Sequence, residues 1–227
     1  MKGRDVFRRY GLELLAVFLG VWLSLIAEGW RQGQIEARQE RASLSRLAED
    51  LRLDILLFED TEAETARHES ALWLRQNIRR DDLPEDSVAA ALRDILSSTS
   101  DIGTNSEYTA LKTSGNLGLL SDPDLRVALS RYYEDQPYLR VIEERQYDAM
   151  MVLLDLVSEA TVFYEPGDLN SPSTPSLLPG WREVLRQPLV INYLRRNEHL
   201  TGWSLELKGG YVADARWFVE KIEQQIQ

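Results

Sequence analysis

Cysteine is absent from the 227 residues, and histidine occurs only twice. Without cysteine there is no disulfide and no thiolate metal site. His68 and His199 stand more than one hundred positions apart. Glu64 precedes His68 by one helical turn, but two ligands on one face fall short of the four that structural zinc takes, so both histidines are read as surface residues. There is no Gly-x-Ser-x-Gly elbow, no Gly-x-x-x-x-Gly-Lys phosphate loop and no Gly-x-Gly-x-x-Gly after a strand. Ser114-Gly115-Asn116 pairs a serine with a glycine, and helix closure by that glycine accounts for it. Carboxylates are too numerous for any acid–base pair to stand out. The chain is therefore read as a non-enzyme, with no catalytic residue, no cofactor and no metal.

Basic residues are also in deficit. From Arg31 onward 22 Lys plus Arg face 34 Asp plus Glu, a net of −12, which excludes nucleic acid as a natural partner. Proline is missing from residues 31–80, where Gly33 is the sole glycine. That stretch is rich in Ala, Glu, Arg, Leu and Gln and has high helix propensity throughout.

What the chain does have is one long apolar run. Between Leu12 and Ala27 the only strongly polar residue is Glu13, and residues 10–30 as a helix cover about 30 Å, the thickness of a bilayer's hydrocarbon core. Tyr10 and Trp30 bracket the run as membrane-interface anchors. Residues 1–9 carry Lys2, Arg4, Arg8 and Arg9 against Asp5, which favours a cytoplasmic tail. The expected topology is a single-pass protein of the bacterial inner membrane, with residues 31–227 in the periplasm. A cleaved signal peptide is the rival, but Leu25 two places before Ala27 spoils the small-x-small site it needs.

Within the run, Glu13, Ala16, Gly20, Ser24 and Ala27 step by 3, 4, 4 and 3 and form one stripe. Small residues at this spacing let a second helix approach closely, and an intramembrane carboxylate is usually shielded from lipid. The stripe is the expected partner-binding surface. The competing account is that small residues are common in membrane helices and that Glu13 pairs with Arg9.

Leu44, Leu47, Leu51, Ile55 and Phe58 form an apolar stripe that Leu72 and Trp73 extend, which predicts a long stalk ending at Asp81, Asp82 and Pro84. Ser87 is expected to cap a short helix running to about Ser97. Asn105 or Ser106 caps the next, with Tyr108 and Leu111 on one side and closure at Gly115. Asp122 with Pro123 opens another, burying Leu125, Leu129, Tyr132 and Tyr133. After Pro137 a further long helix carries Leu139, Ile142, Tyr147, Met150, Leu153, Leu154 and Val157 as its core stripe. Residues 165–180 hold four of the eight prolines and form an extended loop. The remainder from Trp181 is helical, with a kink at Gly209-Gly210. Trp181, Trp203 and Trp217 either line a pocket or pack in the core. The fold class is all-α: an N-terminal transmembrane helix continuing into an extracytoplasmic helical bundle.

The apolar run with Glu13, Gly20 and Trp30, together with the motif Tyr108, Leu111, Lys112, Ser114, Gly115, Leu117, Leu125, Arg126, Leu129, Tyr132 and Tyr133, resembles an uncharacterised bacterial family of single-pass membrane proteins with a helical extracytoplasmic domain. The chain departs from it at Glu28 and Gly29, where the family has an Asn-rich end to its span. The resemblance touches both ends of the first 140 residues, fades beyond them, and implies topology and fold, with no catalytic residues. The function expected is an accessory or scaffolding subunit of a larger membrane complex (respiratory, photosynthetic, transport or envelope) in contact with other membrane proteins, or with itself, and with the bilayer. The alternative is a periplasmic ligand-binding sensor acting through a membrane partner.

Overall fold

The computed structural model describes residues 2–97, 103–162 and 174–226, with side chains from Val17 onward. Among the described residues seven helices run in the order α1 (Lys2–Glu59), α2 (Glu62–Asn77), α3 (Glu85–Ile95), α4 (Ser106–Thr113), α5 (Pro123–Val157), α6 (Trp181–Leu185) and α7 (Pro188–Ile226). A 3-10 turn, Asn116–Leu119, joins α4 to α5, and β1 (Thr161–Val162) pairs antiparallel with β2 (Ser176–Leu177). The chain is thus mostly helical, with one ribbon of two-residue strands among the described residues. Residues 165–173 of the expected extended loop lie outside the described residues, and its end supplies β2.

α7 is the strut on which α1, α2 and α5 pack. Arg52 reaches Glu223, Arg216 reaches Glu59, and Glu64 meets Lys208, so α1 and then α2 run antiparallel to α7. α5 is antiparallel to it as well: Tyr132 of α5 packs on Phe218, and Gln146 on Thr201. Two large hydrophobic cores result, with a small third cluster of Ile142, Ala149 and Leu200 where α5 meets α7. The basal core joins Leu44, Leu47, Leu51 and Phe58 of α1 to Tyr108 and Leu111 of α4, to Leu125, Leu129, Tyr132, Tyr133 and Leu139 of α5, and to Tyr211, Val212, Ala215, Phe218 and Ile222 of α7. The distal core joins α2, α3, the end of α5, α6 and the start of α7 around Leu74, Leu92, Leu153, Trp181 and Leu194.

Asp122 caps α5 as expected, accepting from the Asp124 and Leu125 amides, with Pro123 in the first turn. These amides hold its carboxyl below the usual carboxylate range. Gly115 closes α4 at φ 74°, a left-handed conformation that glycine adopts without a Cβ clash.

Five expectations are corrected. The stalk is interrupted at Asp60-Thr61, and from Leu44 onward it is part of the bundle rather than a free rod. Along α2 the buried positions are Ala71 and Leu74, with Ile78 just beyond, and Leu72 and Trp73 are only half-buried. The helix expected to be capped by Ser87 has Pro84 at its cap position, three residues earlier, and begins at Glu85. α5 runs straight through Pro137, whose ring lies on the exposed face, while the Tyr211 hydroxyl donates to the nearby Asp135 carbonyl at 2.8 Å. On α5 Tyr147 is exposed, and its neighbour Gln146 is buried instead.

Among the described residues no helix is long and apolar enough to cross a membrane. The expected crossing at residues 10–30 is divided by the limit of the described side chains: Tyr10, Glu13 and Ala16 lie outside it, whereas Gly20, Ser24, Ala27 and Trp30 lie inside.

Candidate functional site

Three features of the fold bear on function: the uncovered length of α1, the polar groups that bind the bundle to it, and one surface cleft. From Val17 to Trp30 the large apolar side chains of α1 are all exposed: Val17, Phe18, Leu19, Val21, Trp22, Leu23, Leu25, Ile26 and Trp30. Their positions point in every direction around the helix except one, and Gly20, Ser24 and Ala27 occupy that direction. A Cβ built on Gly20 meets no atom within 4 Å, so no packing within this chain requires the glycine. The Ser24 hydroxyl donates to the Gly20 carbonyl at 2.8 Å and is satisfied inside its own helix. Trp30 is 72% exposed.

Higher on α1, two carboxylates one turn apart clamp the segment before α4. Asp50 accepts from the Ser106 hydroxyl and from the Glu107 amide at 2.9 Å. It thereby performs from α1 the capping expected of Asn105 or Ser106, neither of which makes a side-chain cap bond. Asp54 is fully buried and accepts from the Thr104 amide at 2.5 Å, the Tyr132 hydroxyl at 2.9 Å and the Gln136 amide nitrogen at 2.9 Å. Burial raises its carboxyl above the usual range, against the pull of these three donors. Burial, and then the facing Asp54 charge, push the Tyr132 hydroxyl upward as well, which keeps it a donor. Gly103 is confined there: a Cβ would sit 3.0 Å from Gln136 and 3.1 Å from Asp54. Beside this clamp Arg46 grips Glu107 through two nitrogens, at 2.6 and 2.9 Å, and lowers its carboxyl.

Between the two cores lies a charged layer. Lys208, fully buried, donates to Glu64 at 2.6 Å and lies 3.9 Å from Glu143. Ser204 also donates to Glu64, and Gln146 donates to Thr201. Arg67 is buried on the same helix as Glu64. Paired charges here satisfy one another where water cannot reach.

The cleft brings together what the sequence separates. His68 and His199 line one depression of about 650 Å³ with Arg195, Glu198, Trp203 and Glu206. His68 Nδ1 lies 2.9 Å from the Glu198 carbonyl oxygen, which can only accept, so that nitrogen carries the proton. The ring abuts Gly202, where a Cβ would be 3.0 Å from Cε1. Glu198 is itself held by Arg75 at 2.5 and 3.0 Å. The Glu64–His68 patch is not formed, because Glu64 faces Lys208 while His68 faces the cleft. No group of three or more His, Asp or Glu side chains able to hold a metal is present among the described residues.

The three C-terminal tryptophans do not converge. Trp181 is buried in the distal core under Arg182, Trp203 borders the cleft, and Trp217 is 46% exposed near the base. Sequence reasoning missed the Asp50–Asp54 clamp and the charged layer, although i, i+4 acids on the core side of an apolar stripe were the available signal. Comparison with known families, characterised proteins and solved structures finds no match for this chain.

Proposed function

We propose that the protein is a non-catalytic accessory or scaffolding subunit of a bacterial membrane complex, anchored by α1 across the inner membrane with its acidic helical domain on the periplasmic side. The observation that carries this reading is the all-round exposure of large apolar side chains from Val17 to Trp30, which nothing in the described chain covers. Apolar surface of this extent calls for lipid or a partner to cover it. Residues 10–16 extend the run to bilayer length, and the basic residues before it set the orientation.

The stripe Glu13, Ala16, Gly20, Ser24 and Ala27 is the docking surface for partner helices. Along a straight helix of 3.6 residues per turn, Gly20 falls about 140° around the axis from Leu51, which faces the core. Gly20, Ser24 and Ala27 therefore lie on the side of α1 that the domain leaves open, and a partner helix meets no obstruction from it there. The likeness to single-pass proteins with a helical extracytoplasmic domain is part of the same proposal. Purification from native membranes in mild detergent, with the associated subunits read by mass spectrometry, tests it. Gly20→Leu is expected to abolish co-purification while leaving the domain folded. Retention of the same subunits by that variant refutes the stripe as interface, and a lone wild-type chain refutes the accessory role.

The second reading, a ligand-binding sensor, draws on the cleft that gathers both histidines with Trp203. Under that reading small molecules raise the thermal midpoint in proportion to the logarithm of their concentration, and the His68→Ala, His199→Ala variant loses the response.

A further inference from the structure

We propose, resting on the anchor reading above, that the Gly115–Leu119 turn at the base of the domain is a lipid-facing surface seated in the headgroup layer, so that the domain sits on the bilayer rather than above it on a stalk. α1 is one unbroken helix from Lys2 to Glu59, so the height of anything attached to it is set by residue count. The turn meets α1 at once above the uncovered segment: Gly33, Glu36 and Ala37 border the same cleft as Gly115, Asn116 and Leu119. The Ser121 amide donates to Glu40 at 2.6 Å and pins the turn there. At 1.5 Å per residue, Gly33 stands about 5 Å and Glu40 about 15 Å beyond Trp30 along the axis. A headgroup layer is roughly 5–8 Å deep on each side of the hydrocarbon. With Trp30 at the interface, the lower edge of the turn lies within that layer.

The chemistry of the turn suits that place. Thr113 to Ser121 is nine consecutive residues without a charge, in a chain 28% charged. Asn116 is exposed, and Leu117 and Leu119 are only half-buried. The α7 end shares the base, since Gln225 donates to Asp122 at 2.9 Å. An uncharged turn with two half-exposed leucines suits a boundary where apolar and polar groups mix, and with Glu36 and Glu40 of α1 bordering it the seating is matched to zwitterionic rather than anionic headgroups.

The lack of native cysteine makes the test direct. Full-length protein carrying a single nitroxide at Asn116→Cys, Gly118→Cys, Val21→Cys or Asp86→Cys is reconstituted into phosphatidylcholine nanodiscs, and access to oxygen and to a water-soluble nickel chelate is measured. Gly118 accepts a side chain without contact, which guards against misfolding of the Asn116 variant. The expected result is a severalfold lower nickel access at 116 and 118 than at the distal residue 86, with oxygen access between those of 86 and 21. Water-like access at 116 and 118, with residue 21 deep in the bilayer, overturns the seating but leaves the anchor standing. Water-like access at 21 overturns the anchor and the seating together. Low access to both reagents at 116 and 118 means that a second copy of the chain, not lipid, covers the turn, and overturns the inference.

Discussion

The two halves of α1 differ in how their apolar residues are arranged and in what covers them. From Leu44 to Phe58 most apolar residues share one face, where Leu44, Leu47, Leu51 and Phe58 are all but inaccessible, and only Leu53 and Leu56 stand exposed off it. From Val17 to Trp30 they point almost everywhere and remain exposed. Both stretches are good helix, so propensity does not separate them; periodicity does. A helix with one apolar stripe can be covered by its own chain, whereas one apolar all round needs an apolar medium or several neighbours. A single continuous helix can thus belong to a folded domain at one end and to its surroundings at the other.

The comparison can be broken most severely where the packed pattern passes from α1 into α2. Lys208→Ala leaves Glu64 buried without the lysine it pairs with and is expected to destabilise the domain by about 3–5 kcal/mol in urea unfolding. An effect under about 1 kcal/mol would mean that the charged layer is hydrated. Within α1, Leu51→Ala is expected to cost about 2–5 kcal/mol of domain stability and to leave membrane association unchanged. Leu23→Arg should do the reverse, weakening insertion by about 3 kcal/mol, read by membrane fractionation, with the domain's unfolding midpoint unmoved. Should Leu23→Arg unfold the domain, the two halves are coupled and the comparison fails.

A finer test concerns Asp54 within the packed half. Burial raises its folded-state pKa above that of the unfolded chain, so the folded state binds the proton more tightly. Its contribution therefore grows as pH falls through the raised value toward the ordinary carboxylate range, and is lost as pH rises. The stability of wild type relative to Asp54→Asn should increase on going from about pH 7 to about pH 4, the window set by an ordinary carboxylate below and a raised one above. Parallel stability curves for the two proteins would remove Asp54 from the account. The smallest effect is expected on the outward side of the same half, where Leu56 is 68% exposed and Leu56→Ser should change stability by no more than about 0.5 kcal/mol.

Local signals were legible where one residue type has one physical use. Asp122-Pro123 marks a helix start because the carboxylate accepts the free amides and proline needs no donor there. Gly115 marks an end because its φ is positive. Signals failed where a side chain had a distant alternative. Glu64 stands one turn before His68, but a lysine 144 positions away takes the glutamate. Asn105 stands at the cap position, but Asp50 does its work. Pro137 looks like a boundary, but its ring faces outward and the helix passes beneath it.

The candidate site divides in the same way. The uncovered stretch of α1 and its small-residue stripe follow from sequence alone, since both depend on the composition and period of consecutive residues. The cleft of His68, His199 and Trp203 does not, because α2 and α7 meet there only through packing. Sequence alone thus determined the helical character of the chain, the caps set by neighbouring residues, and which lengths of helix are apolar on every side. Tertiary structure decided which charges are buried together, which residue caps which helix, and where the domain rests along α1, because each depends on contacts between residues far apart in the chain.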